Sequence, residues 1–198
     1  MDRKNIRLLF DTLVGLKDKF QSSISELRVN FSLVILQATD VIIQGSIPNP
    51  DLVSLDVQVQ EFGQSLFPVA TELADVRNAA LNIILYLKIL RHEVCNKDVI
   101  LKIDNLIKHL NSLLLLYEKF SDLVLTATGI VIKINKDITC QCISTLNQDA
   151  ASLAQTLERG QSLLPEADNL FLSYRDQMIS LLLQLTDVIG CCKPVYHL

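Results

Sequence analysis

Residues 103–134 read IDNLIKHLNSLLLLYEKFSDLVLTATGIVIKI, and apolar side chains recur in this stretch at intervals that alternate between three and four residues. The ten positions are Ile103, Leu106, Leu110, Leu113, Tyr117, Phe120, Val124, Ala127, Val131 and Ile134. This spacing places one apolar stripe along one side of an α-helix, where neighbouring helices can cover it as in bundles and coiled coils. The stretch therefore predicts a long amphipathic helix.

Three further segments carry the same pattern, one of them before residue 45, one between residues 59 and 90, and one after residue 150. The first stripe is Leu13, Leu16, Phe20, Ile24, Leu27, Phe31, Val34, Ala38 and Val41. The second stripe is Val59, Phe62, Leu66, Val69, Leu73, Val76, Ala80, Ile83, Leu87 and Leu90. The last stripe is Leu157, Gly160, Leu164, Ala167, Phe171, Tyr174, Met178, Leu181, Leu185 and Val188. Four stripes predict four long helices.

Turn-forming residues separate these segments. Gly45 is expected to end the first helix in a left-handed conformation, and Asn49 with Pro50 is expected to begin the second. The remaining boundaries are predicted at Asn96–Asp98, at Asn147–Asp149 and at Gly190. Short connections make neighbouring helices antiparallel, so residues 1–198 are predicted to form one all-α domain, an up-down antiparallel four-helix bundle.

Two pairs of segments indicate an internal repeat. Residues 61–73 (EFGQSLFPVATEL) and 158–170 (ERGQSLLPEADNL) are identical at eight of thirteen positions, and residues 31–43 resemble residues 120–132. The two matches occur in the same order, which predicts a duplicated helical hairpin with halves at residues 1–95 and 96–198. Their offsets differ by eight residues, so an insertion or a longer loop is expected around Lys136–Cys142.

The repeated segments each carry a proline inside the apolar stripe region, Pro68 in the second helix and Pro165 in the fourth. A proline in a helix interior removes one backbone hydrogen bond and clashes with the preceding turn. Each of these two helices is therefore expected to be kinked or broken at its proline.

Part of the first half resembles a known family. The run Gln37-Ala38-Thr39, the turn Ile47-Pro48-Asn49-Pro50 and the step Ser65-Leu66-Phe67-Pro68 look like helical segments of the D-type-cyclin-interacting protein family, whose members are built from vinculin- and talin-like helical bundles. The similarity covers about residues 30–90. It implies an intracellular adaptor or regulator that binds other proteins and has no enzymatic activity.

Charge and hydropathy argue against several classes of function. The chain has 18 Lys and Arg against 22 Asp and Glu, a net charge of −4, and it lacks the basic stripe expected of a nucleic-acid-binding protein. Asp11, Lys17 and Asp18 interrupt any N-terminal signal sequence, and no uncharged apolar stretch is long enough to predict a membrane span. We expect an intracellular protein, cytoplasmic or nuclear.

Residues able to carry chemistry are few and scattered. His92, His109 and His197 lack partners at metal-ligand spacing, and the six glycines form no phosphate-binding loop. We therefore expect no catalytic residue, cofactor site or metal site, and no enzymatic activity.

The five cysteines include the pairs Cys140/Cys142 and Cys191/Cys192, and the remaining one is Cys95. Neither pair has the C-x-x-C spacing that zinc sites commonly use, and an odd count does not suit a disulfide framework. Free or partly buried thiols are expected; a zinc site and palmitoylation of Cys191/Cys192 are the alternatives.

A surplus of apolar residues lies off the stripes, at positions that should face outward. These residues are Leu85, Ile89, Leu115, Leu125, Ile132, Leu172, Ile179 and Leu183. One interpretation is a buried face wider than a coiled-coil seam; the other is a surface that binds a partner helix, a partner bundle or a second copy of the chain. The leading functional hypothesis is therefore a protein-interaction module, and the alternative is an amphipathic bundle that binds lipid or membrane.

Overall fold

The computed structural model describes the backbone of residues 3–191 and the side chains of residues 5–187. Four α-helices, α1 (Arg3–Gly45), α2 (Leu52–Glu93), α3 (Lys97–Cys140) and α4 (Ile143–Cys191), follow one another along the chain. They account for 94% of the described residues, among which there is no strand. The prediction of an all-α up-down antiparallel four-helix bundle is confirmed.

Side-chain caps begin α2 and α3. The Asp51 carboxylate accepts hydrogen bonds from the backbone N–H groups of Val53 (3.1 Å) and Ser54 (3.4 Å), so Asp51, and not Asn49, is the N-cap of α2. Asn96 caps α3 in the same way, accepting from the N–H of Asp98 at 2.9 Å. Both residues satisfy backbone donors that have no partner within the first helical turn.

Gly45 serves a different purpose from the predicted one. It is the last residue of α1, and no glycine in the described part of the chain has a positive φ. A Cβ atom at Gly45 would lie 3.0 Å from the Cβ of Ala150 on α4. The glycine permits the close approach of two helices, and the expectation of a left-handed helix end is wrong.

The boundary between α3 and α4 was also predicted wrongly. The helices are joined by Gln141 and Cys142 alone, and Gln141 has the positive φ (56°) that ends α3. Asn147 lies within α4, where its side-chain amide donates to the carbonyl oxygen of Gly45 at 3.0 Å. The predicted longer loop around Lys136–Cys142 is therefore wrong, because the residues on both sides of this two-residue turn are helical.

Both prolines lie within uninterrupted helices. α2 continues through Pro68 and α4 through Pro165, so neither helix is broken there; the kinks stay a prediction. Three residues before each proline a serine hydroxyl donates to the carbonyl oxygen three residues upstream, from Ser65 to Phe62 at 2.7 Å and from Ser162 to Arg159 at 2.8 Å. The two copies of the repeated sequence thus share this local hydrogen bond.

The chain divides into two compact units, and each helix contributes to both. Unit 1 comprises Met1–Ser22, Val76–Leu115 and Glu166–Leu198, and unit 2 comprises Ser23–Asp75 and Leu116–Pro165. These units do not coincide with the predicted halves 1–95 and 96–198, whose duplication stays a prediction.

An aromatic cluster lies in the core of unit 1. The fully buried ring of Phe20 meets the ring of Tyr174 edge-on, with centroids 5.0 Å apart, and Phe171 packs beside both rings. The Tyr174 hydroxyl is buried without a hydrogen-bond partner. Burial, and secondarily the charge of Asp18, raises the pKa of this hydroxyl far above its usual range.

Unit 2 contains the two phenylalanines that the repeat alignment makes equivalent, the half-buried Phe31 and the buried Phe120. Phe31 of α1 and Phe120 of α3 are in edge-to-face contact at 5.3 Å. The repeated glycines also lie at close contacts, because an added Cβ would come within 3.3 Å of Val131 at Gly63 and of Phe31 at Gly160. Val131 and Phe31 are not aligned with each other in the repeat. The two glycines therefore have similarly close neighbours, but these neighbours are not equivalent residues.

The predicted stripes match the core unevenly. All ten positions of the stripe in α2 and all ten in α3 are buried. In α4, Leu157, Leu164 and Phe171 are only half-buried, and Val188 lies outside the described side chains. The buried line in this part of α4 instead passes through Leu153 and Thr156, and it meets the predicted stripe at Gly160.

Gly15 and Gly45 provide a matched stability test, because only Gly45 lies at a close contact between helices. Gly15 lies on an exposed face of α1, and an added Cβ there would meet no atom within 4 Å. Gly15→Ala is expected to raise the free energy of unfolding by about 0.5–1 kcal/mol, because alanine loses less backbone entropy on forming a helix. Gly45→Ala, its matched control, should gain less or destabilise because of Ala150; equal gains in urea titrations would contradict the packing described at Gly45.

Candidate interaction surface

Three of the predicted outward residues form a line on α4 in unit 1. Leu172, Ile179 and Leu183 are spaced by seven and four residues, and their exposed fractions are 42%, 43% and 65%. Such spacing keeps side chains on one helix face, here the face opposite the buried Tyr174, Met178 and Leu181. We call these three exposed residues the α4 ridge. It has the spacing of a coiled-coil seam.

A second line of exposed side chains runs along α2 in unit 1. Leu85 and Ile89 are both exposed, and Leu81, one turn earlier, is exposed with them. The intervals of four residues place the three on one face, which we call the α2 ridge. Leu81 is an addition that the sequence analysis missed.

The remaining predicted residues lie on α3 and are separated from one another. Leu115 belongs to unit 1, whereas Leu125 and Ile132 belong to unit 2; all three are more than 60% exposed. All eight predicted side chains are thus exposed, and they are distributed over both units. Their role in binding a partner stays a prediction.

α1 carries an exposed apolar line that the sequence analysis overlooked. Val29, Leu33, Leu36 and Ile43 all lie in unit 2 and are between 47% and 71% exposed. The signal was present in the sequence, because these residues recur at intervals of four, three and seven between the stripe positions of α1. Phe67 of α2, in the same unit, is 75% exposed and was also missed as an outward residue.

A polar seam joins α3 and α4 in unit 1. The ammonium group of Lys102 donates to the Ser180 hydroxyl at 2.9 Å, and the Gln177 amide lies 3.3 Å from the His109 Nε2 atom. A small depression of about 90 Å³ lies along this seam, lined by Lys102, Asn105, Gln177 and Ser180. Lys102 and the Gln177 nitrogen thus have partners within the unit, whereas the Gln177 side-chain oxygen is buried without a hydrogen-bond partner.

Two charged side chains on other surfaces, Glu72 and Arg91, are perturbed by their neighbours. Partial burial, and secondarily the charge of Glu26, raises the pKa of Glu72, with a further contribution from Asp75. Elsewhere the exposed guanidinium of Arg91 forms a two-point contact with Asp104, and this hydrogen bonding raises the pKa of Arg91. Neither arrangement places an acid and a base around a common reacting atom.

A pair of carboxyl groups lies between α3 and α4 in unit 2. Asp137 is buried; its Oδ1 atom accepts from the Thr145 hydroxyl at 2.8 Å, whereas its Oδ2 atom has no partner. Burial, and secondarily the charge of Asp137, raises the pKa of the neighbouring Asp149, although Lys133 opposes the shift. Asp149 therefore binds a proton more readily in the folded chain than in the unfolded chain.

The raised pKa of Asp149 predicts a pH-dependent stability. The folded state binds more protons, so this contribution is present at low pH and is lost as pH rises through the raised pKa. Asp149→Asn, which removes the carboxylate charge beside Asp137, should be more stable than wild type at pH 7. The difference should shrink as pH falls toward 4, as followed by thermal melts; a constant difference would show that the charge is not responsible.

Neither the apolar cavity in unit 2 nor a metal-ligand cluster among the described residues provides an alternative site. The apolar cavity in unit 2, lined by residues that include Phe31, Phe62 and Gly160, has a volume of about 30 Å³. Small-molecule sites usually enclose about 300–1,000 Å³, so this cavity is too small for such a ligand. Among the described residues, no three His, Cys, Asp or Glu side chains are placed to share a metal ion.

The structure corrects the expectation for two cysteines. Cys140 and Cys142 are joined by a disulfide, so the prediction of free thiols is wrong at these positions, where the turn between α3 and α4 brings them together. Cys95 is a free, exposed thiol. The side chains of Cys191 and Cys192 lie outside the described residues.

Comparison with known proteins adds no further assignment. No family model, no curated protein sequence and no solved structure matches this chain. The resemblance to the D-type-cyclin-interacting protein family therefore stays an expectation. In the part of the chain that the structure describes, no helix combines the length and apolar character required to cross a membrane.

Proposed function

We propose that this chain is a non-enzymatic protein-interaction module, acting in the cytoplasm or nucleus as an adaptor, scaffold or regulator. The observation that carries the proposal is the α4 ridge, a line of exposed leucine and isoleucine side chains on the face of α4 that points away from the core. Its partner is a helix or helical bundle, because a partner helix can pack its own apolar stripe along such a line.

Charge at the α4 ridge supports a protein partner. Between Leu172 and Ile179 lie Arg175 and Asp176, whose side chains form an exposed ion pair at 3.2 Å. Amphipathic helices that bind membranes usually carry lysine and arginine around their apolar face, since anionic lipids attract them. The balanced pair here favours a partner surface that carries both signs of charge.

Vesicle flotation combined with affinity capture separates the proposed function from the lipid-binding alternative. The intact chain is mixed with vesicles containing about 30% anionic lipid, and in parallel it is immobilised and exposed to a native lysate. We expect the chain to stay out of the floating fraction and to retain specific proteins through washes at 0.15 M salt. Flotation with the vesicles, without specific protein capture, would overturn the proposal in favour of a lipid-binding bundle.

A further inference from the structure

The turn between α3 and α4 carries two exposed cysteine residues. α3 ends at Cys140 and α4 begins at Ile143, so the turn contains only Gln141 and Cys142. Both cysteines are exposed, their Cα atoms are 5.3 Å apart, and their side chains form a disulfide across a single intervening residue. Exposure matters because exchange begins when an external thiolate reaches one of the two sulfur atoms.

Hydrogen bonds hold the turn independently of the disulfide. The Cys142 N–H donates to the carbonyl oxygen of Asp137 at 2.9 Å, and the Gln141 N–H donates to that of Ile138 at 3.2 Å. The side chain of Thr145, in the first turn of α4, donates to the buried carboxylate of Asp137 at 2.8 Å. Asp137 thus links the last turn of α3 to the first turn of α4 through both its backbone and its side chain.

This bonding keeps the two thiols together after reduction. Because Asp137 bonds to both sides of the turn, opening the disulfide leaves the ends of α3 and α4 connected by the same hydrogen bonds. A disulfide that closes so short a loop also removes little conformational entropy from the unfolded chain, so it adds little to folding stability. The disulfide and dithiol forms are therefore expected to share one fold, which is the requirement for repeated interconversion.

We propose that Cys140 and Cys142 form a reversible thiol–disulfide exchange site at the tip of the α3–α4 hairpin, whose substrates are thiols and disulfides of the glutathione type or of another protein. An external thiolate attacks one sulfur atom, forms a mixed disulfide with it and releases the other cysteine as a thiolate, which takes a proton from solvent. A second external thiol cleaves the mixed disulfide, so two thiols are oxidised to one disulfide while the protein gains two electrons and two protons. Oxidised glutathione reverses both steps. This site is independent of the proposed interaction function.

The test uses the full chain with Cys95, Cys191 and Cys192 replaced by serine, so that only the two turn cysteines remain. The protein is equilibrated with mixtures of reduced and oxidised glutathione spanning a ~1000-fold range of ratio. Free thiols are then alkylated and counted by intact mass. We expect a two-thiol transition within that range, reached from either direction, and no change in the helical circular dichroism signal.

Two further kinds of variant distinguish a reversible exchange site from a disulfide that does not react. In the same background, Cys140→Ser or Cys142→Ser should accumulate the mixed disulfide with glutathione, since the cysteine that would release it is gone. Thr145→Val removes the bond to the Asp137 side chain, and it should broaden or displace the transition while leaving the helical signal intact. A disulfide that resists excess dithiothreitol, or thiols that stay alkylatable in pure oxidised glutathione, would overturn the proposal. So would a loss of helix on reduction.

Discussion

Replacing Phe20 with alanine is expected to lower the free energy of unfolding by about 3–5 kcal/mol, a large share of the stability of a domain of this size. The Phe20 ring is fully buried in unit 1 and contacts the rings of Phe171 and Tyr174. Its removal leaves a cavity and deletes an edge-to-face aromatic pair, both of which destabilise the fold. Urea unfolding followed by circular dichroism measures the effect.

Phe67 is the matched control for this substitution. It is the same residue type in a helix, but its side chain is 75% exposed. Phe67→Ala is therefore expected to change the free energy of unfolding by less than about 0.5 kcal/mol. Equal losses at Phe20 and Phe67 would contradict the assignment of inward and outward faces.

Replacing the whole α4 ridge is expected to separate binding from folding. In the variant Leu172→Gln, Ile179→Gln and Leu183→Gln, each new side chain is a good helix former on a face that already meets water. The free energy of unfolding should change by no more than about 1.5 kcal/mol in total. Affinity for the partner should fall at least ~30-fold, because losing even one interface hot spot costs about 2 kcal/mol.

A polar control variant on the same helix tests whether that loss depends on the apolar side chains. Glu158→Gln, Arg159→Gln and Glu166→Gln changes three exposed positions of α4 outside the stretch that carries the ridge and the Arg175–Asp176 pair. This protein should bind as wild type does. A ridge variant that unfolds would show instead that the three residues belong to the core, as would a single substitution such as Leu183→Gln that costs more than ~2 kcal/mol.

Hydrophobic periodicity predicted the fold because burial drives the packing of long helices. The unbroken three-and-four spacing in α2 and α3 identified twenty positions, and all of them are buried. The same pattern was less reliable in α4, where Leu164 immediately precedes Pro165 and is only half-buried. Periodicity identifies which face is apolar, but it does not determine how deeply each residue is covered.

Helix boundaries and individual contacts between helices were harder to predict because they depend on residues that are distant in sequence. Asn147 looked like a turn residue, yet it lies in a helix and bonds to Gly45, about a hundred residues away. Gly45 looked like a helix-ending residue with positive φ. Glycine is favoured there instead because a Cβ atom would come very close to Ala150. The Cys140–Cys142 disulfide depends on the turn at Gln141, which no periodic signal marks.

The sequence predicted which residues of the candidate surface are exposed, but it did not predict how they are distributed. Exposure of the eight outward residues follows from their angular offset from the stripes, which can be computed from sequence. Their distribution over two units depends on which parts of the four helices pack together, and Leu125 and Ile132 fall in a different unit from the α4 ridge. The α1 line from Val29 to Ile43 was missed although its spacing is equally clear.

Quantitative affinity capture with three immobilised proteins tests the proposed interaction function most directly. Wild type, the α4 ridge variant and the polar control variant are compared in the same native lysate, after circular dichroism has shown equal helix content. We predict that a set of proteins enriched at least ~10-fold on wild type and on the polar control is absent from the ridge variant. Retention of the same set by all three proteins would contradict binding through the α4 ridge.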